Sequence, residues 1–211
     1  MRRRVLVAAL GAAACAPVTK LCAAEPADAP EEALLLVAKP ELPDANFRDT
    51  VVCVMRAPDG GRALGLILNK PLAARLLDAV PEAGGVAFGA GRIHHGGPLA
   101  QNRLLFLLQS EVAPANSVRL IDDVFLTADA GLPRQIARGE FAARNLRAYI
   151  GYAAWAPRQL RAEIATGAWL VAAVDSATLF SVDAQALWPA MIKRLTTRSA
   201  RAGGRPPRGH G

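Results

Sequence analysis

Cysteine and histidine are scarce in this chain, three of each, and neither a Cys-x-x-Cys nor a His-Glu-x-x-His pattern occurs. Cys15 and Cys22 fall within the first 24 residues, which leaves the body with Cys53 alone. An internal disulfide there is excluded, and the body's two histidines, His94 and His95, fall short of the ligands a metal centre needs. Adjacent histidines in a strand also point to opposite faces, so no metal site is expected. Val5–Ala16 is an uncharged run but only twelve residues long, well under the ~18 that span a bilayer. No nucleophile, base and orienting group stand at a spacing that defines catalysis, and no internal repeat appears. What is plentiful is apolar content, 52% of residues, enough for one buried core.

Acidic residues are missing from both ends. Residues 1–24 carry four basic residues, residues 193–211 carry six, and neither stretch has an Asp or Glu. The formal charge of +7 therefore belongs to the ends, and between Glu25 and Ile192 there remain 15 basic against 18 acidic residues. A body of net −3 is a poor phosphate reader, so nucleic acid is not its expected partner. Arg2-Arg3-Arg4, the apolar run and Cys22-Ala23-Ala24 have the shape of an export signal, with cleavage after Ala24. The arginines fit a twin-arginine signal or a general one. The expected location is the periplasm; a start codon set upstream of a cytosolic protein is the alternative. Residues 25–32, with Pro26 and Pro30, read as a linker, and residues 196–211, with Gly203-Gly204 and Pro206-Pro207, as a disordered basic tail.

Between them, residues 33–195 read as one domain. Ala33–Ala38 and Thr50–Met55 are aliphatic strands, the second a continuous β-branched run that fills a strand covered on both faces and buries Cys53. Pro58-Asp59-Gly60-Gly61 is a hairpin turn, returning as a strand over Ala63–Leu68. Asn69-Lys70-Pro71 then caps and starts a helix carrying Leu72, Leu76 and Leu77. Pro81–Gly91 reads as a loop, Arg92–His95 and Leu104–Gln109 as strands, and Val118–Leu120 and Val124–Thr127 as two more. A helix over Asp129–Arg138 ends at Gly139, a strand covers Leu146–Ala153, and a helix covers Pro157–Thr166 with Gly167 as its stop. Trp169–Val174 and Ala177–Phe180 read as strands and Asp183–Leu195 as a last helix. The mixture lacks a βαβ rhythm, which points to α+β with a mixed sheet.

Four blocks carry a family resemblance. They are Pro40, Phe47 and Val51-Val52; Gly65-Leu66-Ile67-Leu68-Asn69-Lys70-Pro71-Leu72; Gly96-Gly97-Pro98-Leu99 with Arg103; and Gly151-Tyr152-Ala153-Ala154-Trp155, Gln159-Leu160, Glu163-Ile164 and Gly167-Ala168-Trp169-Leu170. With Leu179-Phe180 and Trp188, these resemble the YqgE/AlgH family of bacterial proteins over roughly Leu34–Leu195. The resemblance implies an α+β fold: a single domain with a bifurcated mixed β-sheet curled toward a barrel and flanking helices. It also implies a link to the regulation of exopolysaccharide (alginate) production, in a group otherwise uncharacterised. The chain departs from the family in its export signal, in Ala154, Ala156 and Arg158 where glycines are common, and in Leu108 where a histidine is usual. Leu108 can do no acid–base or ligand work.

The candidate binding residues are Asn69, Lys70, His95, Gly96, Gly97 and Arg103, the polar and glycine members of these blocks. Gathered together they would hold an anion, with the Gly96-Gly97 amides as a nest. The competing reading is structural: Asn69 a helix cap, Lys70 a solvated side chain, Arg103 a partner for a carboxylate, and the glycines a tight turn. Glu163 beside Gln159 is a lone candidate base with no second catalytic group, for which an ion-pair or capping role is expected, and Trp155 and Trp169 read as core. The expectation is a non-enzymatic binding or regulatory protein of the envelope, with no cofactor and with an unknown protein or a small anion as partner. A hydrolase with an unrecognised site, a structural or assembly partner, and a cytosolic transcriptional regulator are the alternatives.

Overall fold

Strand β1 (Leu34–Ala38) shows in five residues how the domain is layered. Leu35 and Val37 join one apolar cluster and Leu36 and Ala38 another, the period-two alternation of a strand buried on both faces. The computed structural model describes residues 33–55, 62–85 and 88–203. The expected export signal, the linker, the Pro58–Gly61 turn and the last eight residues of the tail lie outside them.

Among the described residues, β2 (Val51–Met55), β3 (Ala63–Ile67), β4 (Pro71–Arg75), β5 (Arg92–His95), β6 (Leu99–Gln109), β7 (Ser117–Ile121), β8 (Val124–Thr127), β9 (Asn145–Trp155) and β10 (Trp169–Ala173) complete the sheet. The main path runs β10-β1-β2-β3-β9-β6-β8-β7. Every pairing is antiparallel except β5 with β9, where His94 faces Tyr149 and His95 faces Ile150. Helices α1 (Leu76–Ala79), α2 (Leu132–Ala137), α3 (Pro157–Ala165), α4 (Ser176–Leu179) and α5 (Ala184–Gly203) surround it.

The sheet forks. Along one side of β9, residues 153–155 pair with β3 while residues 149 and 150 pair with β5, which carries β4 as its outer neighbour. The sheet curls into a half-barrel: α4 and α5 supply Leu179, Leu187 and Met191 to the cluster lining one face. The other face is covered in two places, by α3 at β1–β3 and by α2 with its neighbours at β5–β9. Three clusters thus fill one α+β domain.

Several local expectations give way to tertiary pairing. The segment after Asn69 is a strand before it is a helix: Pro71 pairs with His94, and His95 N–H donates to the Lys70 carbonyl at 2.8 Å. Proline is tolerated there because β4 is an edge and Pro71 its first residue. Residues 177–179 form α4 instead of a strand, since Asp175 Oδ1 accepts the Thr178 N–H at 2.7 Å and nucleates the turn. The helix expected over Asp129–Arg138 shortens to α2 because Asp129 Oδ1 first takes the Gly131 N–H in a local turn. α5 continues to Gly203, so residues 196–203 of the expected disordered tail are helical. Leu108, the departure from the family pattern, is fully buried against Phe106 and Phe125, a core position.

Candidate functional site at the fork of the sheet

The glycines of two sequence blocks, Gly96-Gly97 and Gly151, meet backbone to backbone where the sheet divides. A methyl group on Gly96 would overlap the Gly151 carbonyl oxygen, and one on Gly97 would overlap the Tyr152 carbonyl carbon. Gly151 has φ of +73°, and a Cβ there would stand 2.5 Å from the Gly97 oxygen and 2.7 Å from the Leu99 oxygen. Gly65 lies under the Trp155 ring, with 2.7 Å left for a Cβ. Only residues without a side chain let strands cross at this distance. Gly96 donates its N–H to the Ile150 oxygen and accepts from the Ile67 N–H at 2.9 Å, so this amide is not open to an anion.

The polar members of the same blocks brace the fork. Asn69 does not cap a helix: its Oδ1 accepts from Val51 N–H and its Nδ2 donates to the Asp49 oxygen, both at 2.8 Å. Lys70 is half-buried, not solvated, because Nζ donates to the Asn46 oxygen at 2.8 Å. Burial lowers its pKa, against the raising pull of Asp49 and Asp44. These bonds hold the loop that carries Phe47, whose ring lies 5.4 Å from that of Trp155 and 5.6 Å from that of Trp169. Beneath them Glu163 Oε2 accepts both indole N–H groups, Trp155 and Trp169, at 3.0 Å each, and Oε1 accepts from Gln159 at 3.1 Å. Its role is neither ion pair nor cap, since three neutral N–H donors surround it.

The structure brings Lys70, His95, Gly96 and Gly97 together, and Arg103 makes no hydrogen bond or ion pair with any of them. Burial lowers the His95 pKa, and the Lys70 charge lowers it further. Residues 100–103 bulge opposite the single residue Gly151, since Leu99 pairs with Tyr152 and Leu104 with Ile150. Arg103 stands exposed in that bulge with no hydrogen bond or ion pair to the described residues, so the expected carboxylate partner is missing.

Beside the fork lies a buried pair, His94 and Tyr149, that the sequence blocks do not mark as a unit. His94 and Tyr149 sit in register with ring centroids 5.5 Å apart, both buried, with the Arg147 guanidinium close to each. Burial and the nearby Arg147 guanidinium push the imidazole down to about 4, while burial pushes the phenol up to about 12. The signal available was the His-His pair itself, one member of which had to face inward. The folded chain refuses a proton until about pH 4 that the unfolded chain takes up near 6.5. Stability is therefore full above pH 6.5 and falls as the pH drops from there toward 4, by roughly 2–3 kcal/mol. Urea titrations at pH 7 and 4.5 should show this loss, and His94→Phe should remove most of it.

Comparison with known proteins agrees with this architecture. A family model described as DUF179, AlgH-like, matches residues 35–200. A UPF0301 protein of Hahella chejuensis is 34% identical over 148 residues, 69% of this chain and 78% of the relative. One from Methylococcus capsulatus is 33% identical over 161 residues, 75% and 87% of the two chains. The solution structure of the AlgH protein from Pseudomonas aeruginosa superposes with a TM-score of 0.64 at 24% identity, over 86% of this chain and 95% of that one. A crystal structure of a Corynebacterium diphtheriae protein gives 0.63 at 24% identity, over 83% and 92%.

Proposed function

The chain belongs to the AlgH-like family, and from that premise we propose that it works by binding an anionic partner at the rim of the fork, as a non-enzymatic regulatory protein. One contrast carries this reading. Asn69, Lys70 and Glu163 are engaged in bracing backbone and indoles, whereas Arg103, from the same set of motifs, is exposed and makes no hydrogen bond or ion pair with the described residues. An exposed guanidinium on a bulge fixed by Gly151 suits a carboxylate or phosphate group. Bulges commonly serve to aim a side chain in this way.

A thermal-shift screen of the purified protein against phosphate, citrate and other small anions tests the reading. A rise in melting temperature of several degrees is expected with at least one anion, and Arg103→Ala should abolish it without lowering the melting temperature of the ligand-free protein. Lys70→Ala, by contrast, should lower the ligand-free value, because it frees the Asn46 loop. No shift with any anion, or turnover of simple ester or phosphate substrates lost in Glu163→Gln, would overturn the proposal.

Export to the envelope extends it, supported by the Arg2–Arg4, Val5–Ala16 and Cys22-Ala23-Ala24 pattern. Cell fractionation with N-terminal sequencing should find Glu25 as the first residue of periplasmic material. An intact Met1 in the cytosol would sink the export reading and favour gene regulation instead.

A further inference from the structure

The main path of the sheet ends in β7 on one side and β10 on the other, and these two edges are built differently. β7 carries an exposed Arg119 and a register shift between Arg119 and Ile121, followed by Asp122 at φ of +32°. Charge and irregularity of this kind keep an edge from pairing. β10 reads Trp-Leu-Val-Ala-Ala, with no charge, no proline and an unbroken register against β1. Val171 is 46% exposed and Ala173 is exposed.

The ladder fixes which backbone groups look outward. Lys39 N–H donates to the Ala168 oxygen at 3.1 Å, and β1 and β10 run antiparallel with Val37 opposite Leu170 and Leu35 opposite Ala172. Residues 168, 170 and 172 therefore exchange bonds with β1. Trp169, Val171 and Ala173 direct their N–H and C=O groups away from the sheet. β1 is the only strand paired with β10 among the described residues.

We propose that β10 pairs with β10 of a second copy of this chain, antiparallel about a two-fold axis through Val171. In that register Val171 faces the partner's Val171 and Trp169 faces the partner's Ala173, each pair exchanging two hydrogen bonds. The flanks explain why the occupant is a second copy. Beyond the ladder, where the turn at Gly167 (φ +76°) precedes β10, this register brings Gly167 to the same end of the interface as the partner's Asp175. Lys39 Nζ lies over Gly167, 3.2 Å from where a Cβ would stand. Asp175 keeps a half-exposed carboxylate, with Oδ1 on the Thr178 N–H and Oδ2 3.7 Å from Arg194. Symmetry therefore brings an ammonium to a carboxylate at both ends of the ladder, a match that an unrelated extended peptide would have to carry in its own sequence. A five-residue edge is a small interface, so dissociation in the range of roughly 10 µM to 1 mM is expected.

The interface goes beyond the anion-binding reading and fails separately from it, since it involves neither the bulge nor Arg103. Sedimentation equilibrium of the full chain from about 5 µM to 1 mM, paired with amide hydrogen exchange, tests it. The mass should climb toward twice that of the chain, and the amides of Trp169, Val171 and Ala173 should slow with concentration while those of Leu170 and Ala172 stay constant. Val171→Pro removes an outward N–H and leaves every bond to β1, so it should give a folded monomer. Val171→Lys, which sets two charges face to face at the axis, should do the same. Lys39→Glu should weaken the dimer at least fivefold. A monomer across the whole range overturns the proposal, as does a dimer that survives both Val171 variants or protects amides elsewhere.

Discussion

Replacing Gly97 or Gly151 by alanine is expected to abolish cooperative folding. Neither substitution asks for a mere rotamer change, because the atoms in the way are backbone: the Tyr152 carbonyl for Gly97, the Gly97 and Leu99 oxygens for Gly151. Making room would separate β5 and β6 from β9 at the point where Gly96 bonds Ile150 and Ile67. The loss should exceed ~4 kcal/mol, a large share of the roughly 5–15 kcal/mol that holds a domain together. Gly139 provides the control. It too has a positive φ, +70°, but nothing lies within 4 Å of its Cβ position, so Gly139→Ala should cost only about 1 kcal/mol. Thermal melts followed by circular dichroism separate the cases: a shift of a few degrees for Gly139→Ala, and no cooperative transition for the fork variants. Fork variants that melt like Gly139→Ala would show that the strands can part freely there.

The second large effect concerns Glu163. In Glu163→Ala two indole N–H groups, on rings that are 2% and 4% exposed, lose their shared acceptor. An unsatisfied buried donor costs about 1–3 kcal/mol, so the pair should cost roughly 2–5 kcal/mol. Glu163→Gln keeps one oxygen for the indoles but turns an amide toward Gln159, which then has to swap its donor for an acceptor. About 1 kcal/mol is expected. Urea denaturation monitored by tryptophan emission reads both, with a red-shifted folded spectrum for Glu163→Ala. Equal losses in the two variants would mean that charge, and not acceptor geometry, holds the cluster.

Much of the fold was legible because two kinds of signal agree with it. The β-branched run at Val51–Met55 became a strand buried on both faces, and burial pushes the Cys53 thiol there up to about 12. Pro157 at the start and Gly167 at the end marked α3 to within a residue or two. Local signals failed where a distant strand competed for the backbone. Asn69-Lys70-Pro71 has the chemistry of a helix start, yet β5, more than twenty residues on, captures it. The candidate site was legible in its residues and not in their roles. Asn69 reads locally as a helix cap or an anion ligand, but its partners lie at positions 49 and 51, and no local rule reaches across that separation. Glu163 was visible as a lone carboxylate, while the indoles that surround it come from two different strands.

The order of the strands sets a limit on how early this domain can assemble. β1, the first strand among the described residues, lies between β2 and β10, and β3 needs β9 as its other neighbour. During synthesis the emerging N-terminal third can form the β1–β2–β3 meander but has no way to complete either margin until residues beyond 150 have left the ribosome. Contacts of such long sequence separation make folding slow. A nascent polypeptide that waits for its last quarter stays open to chaperones throughout translation.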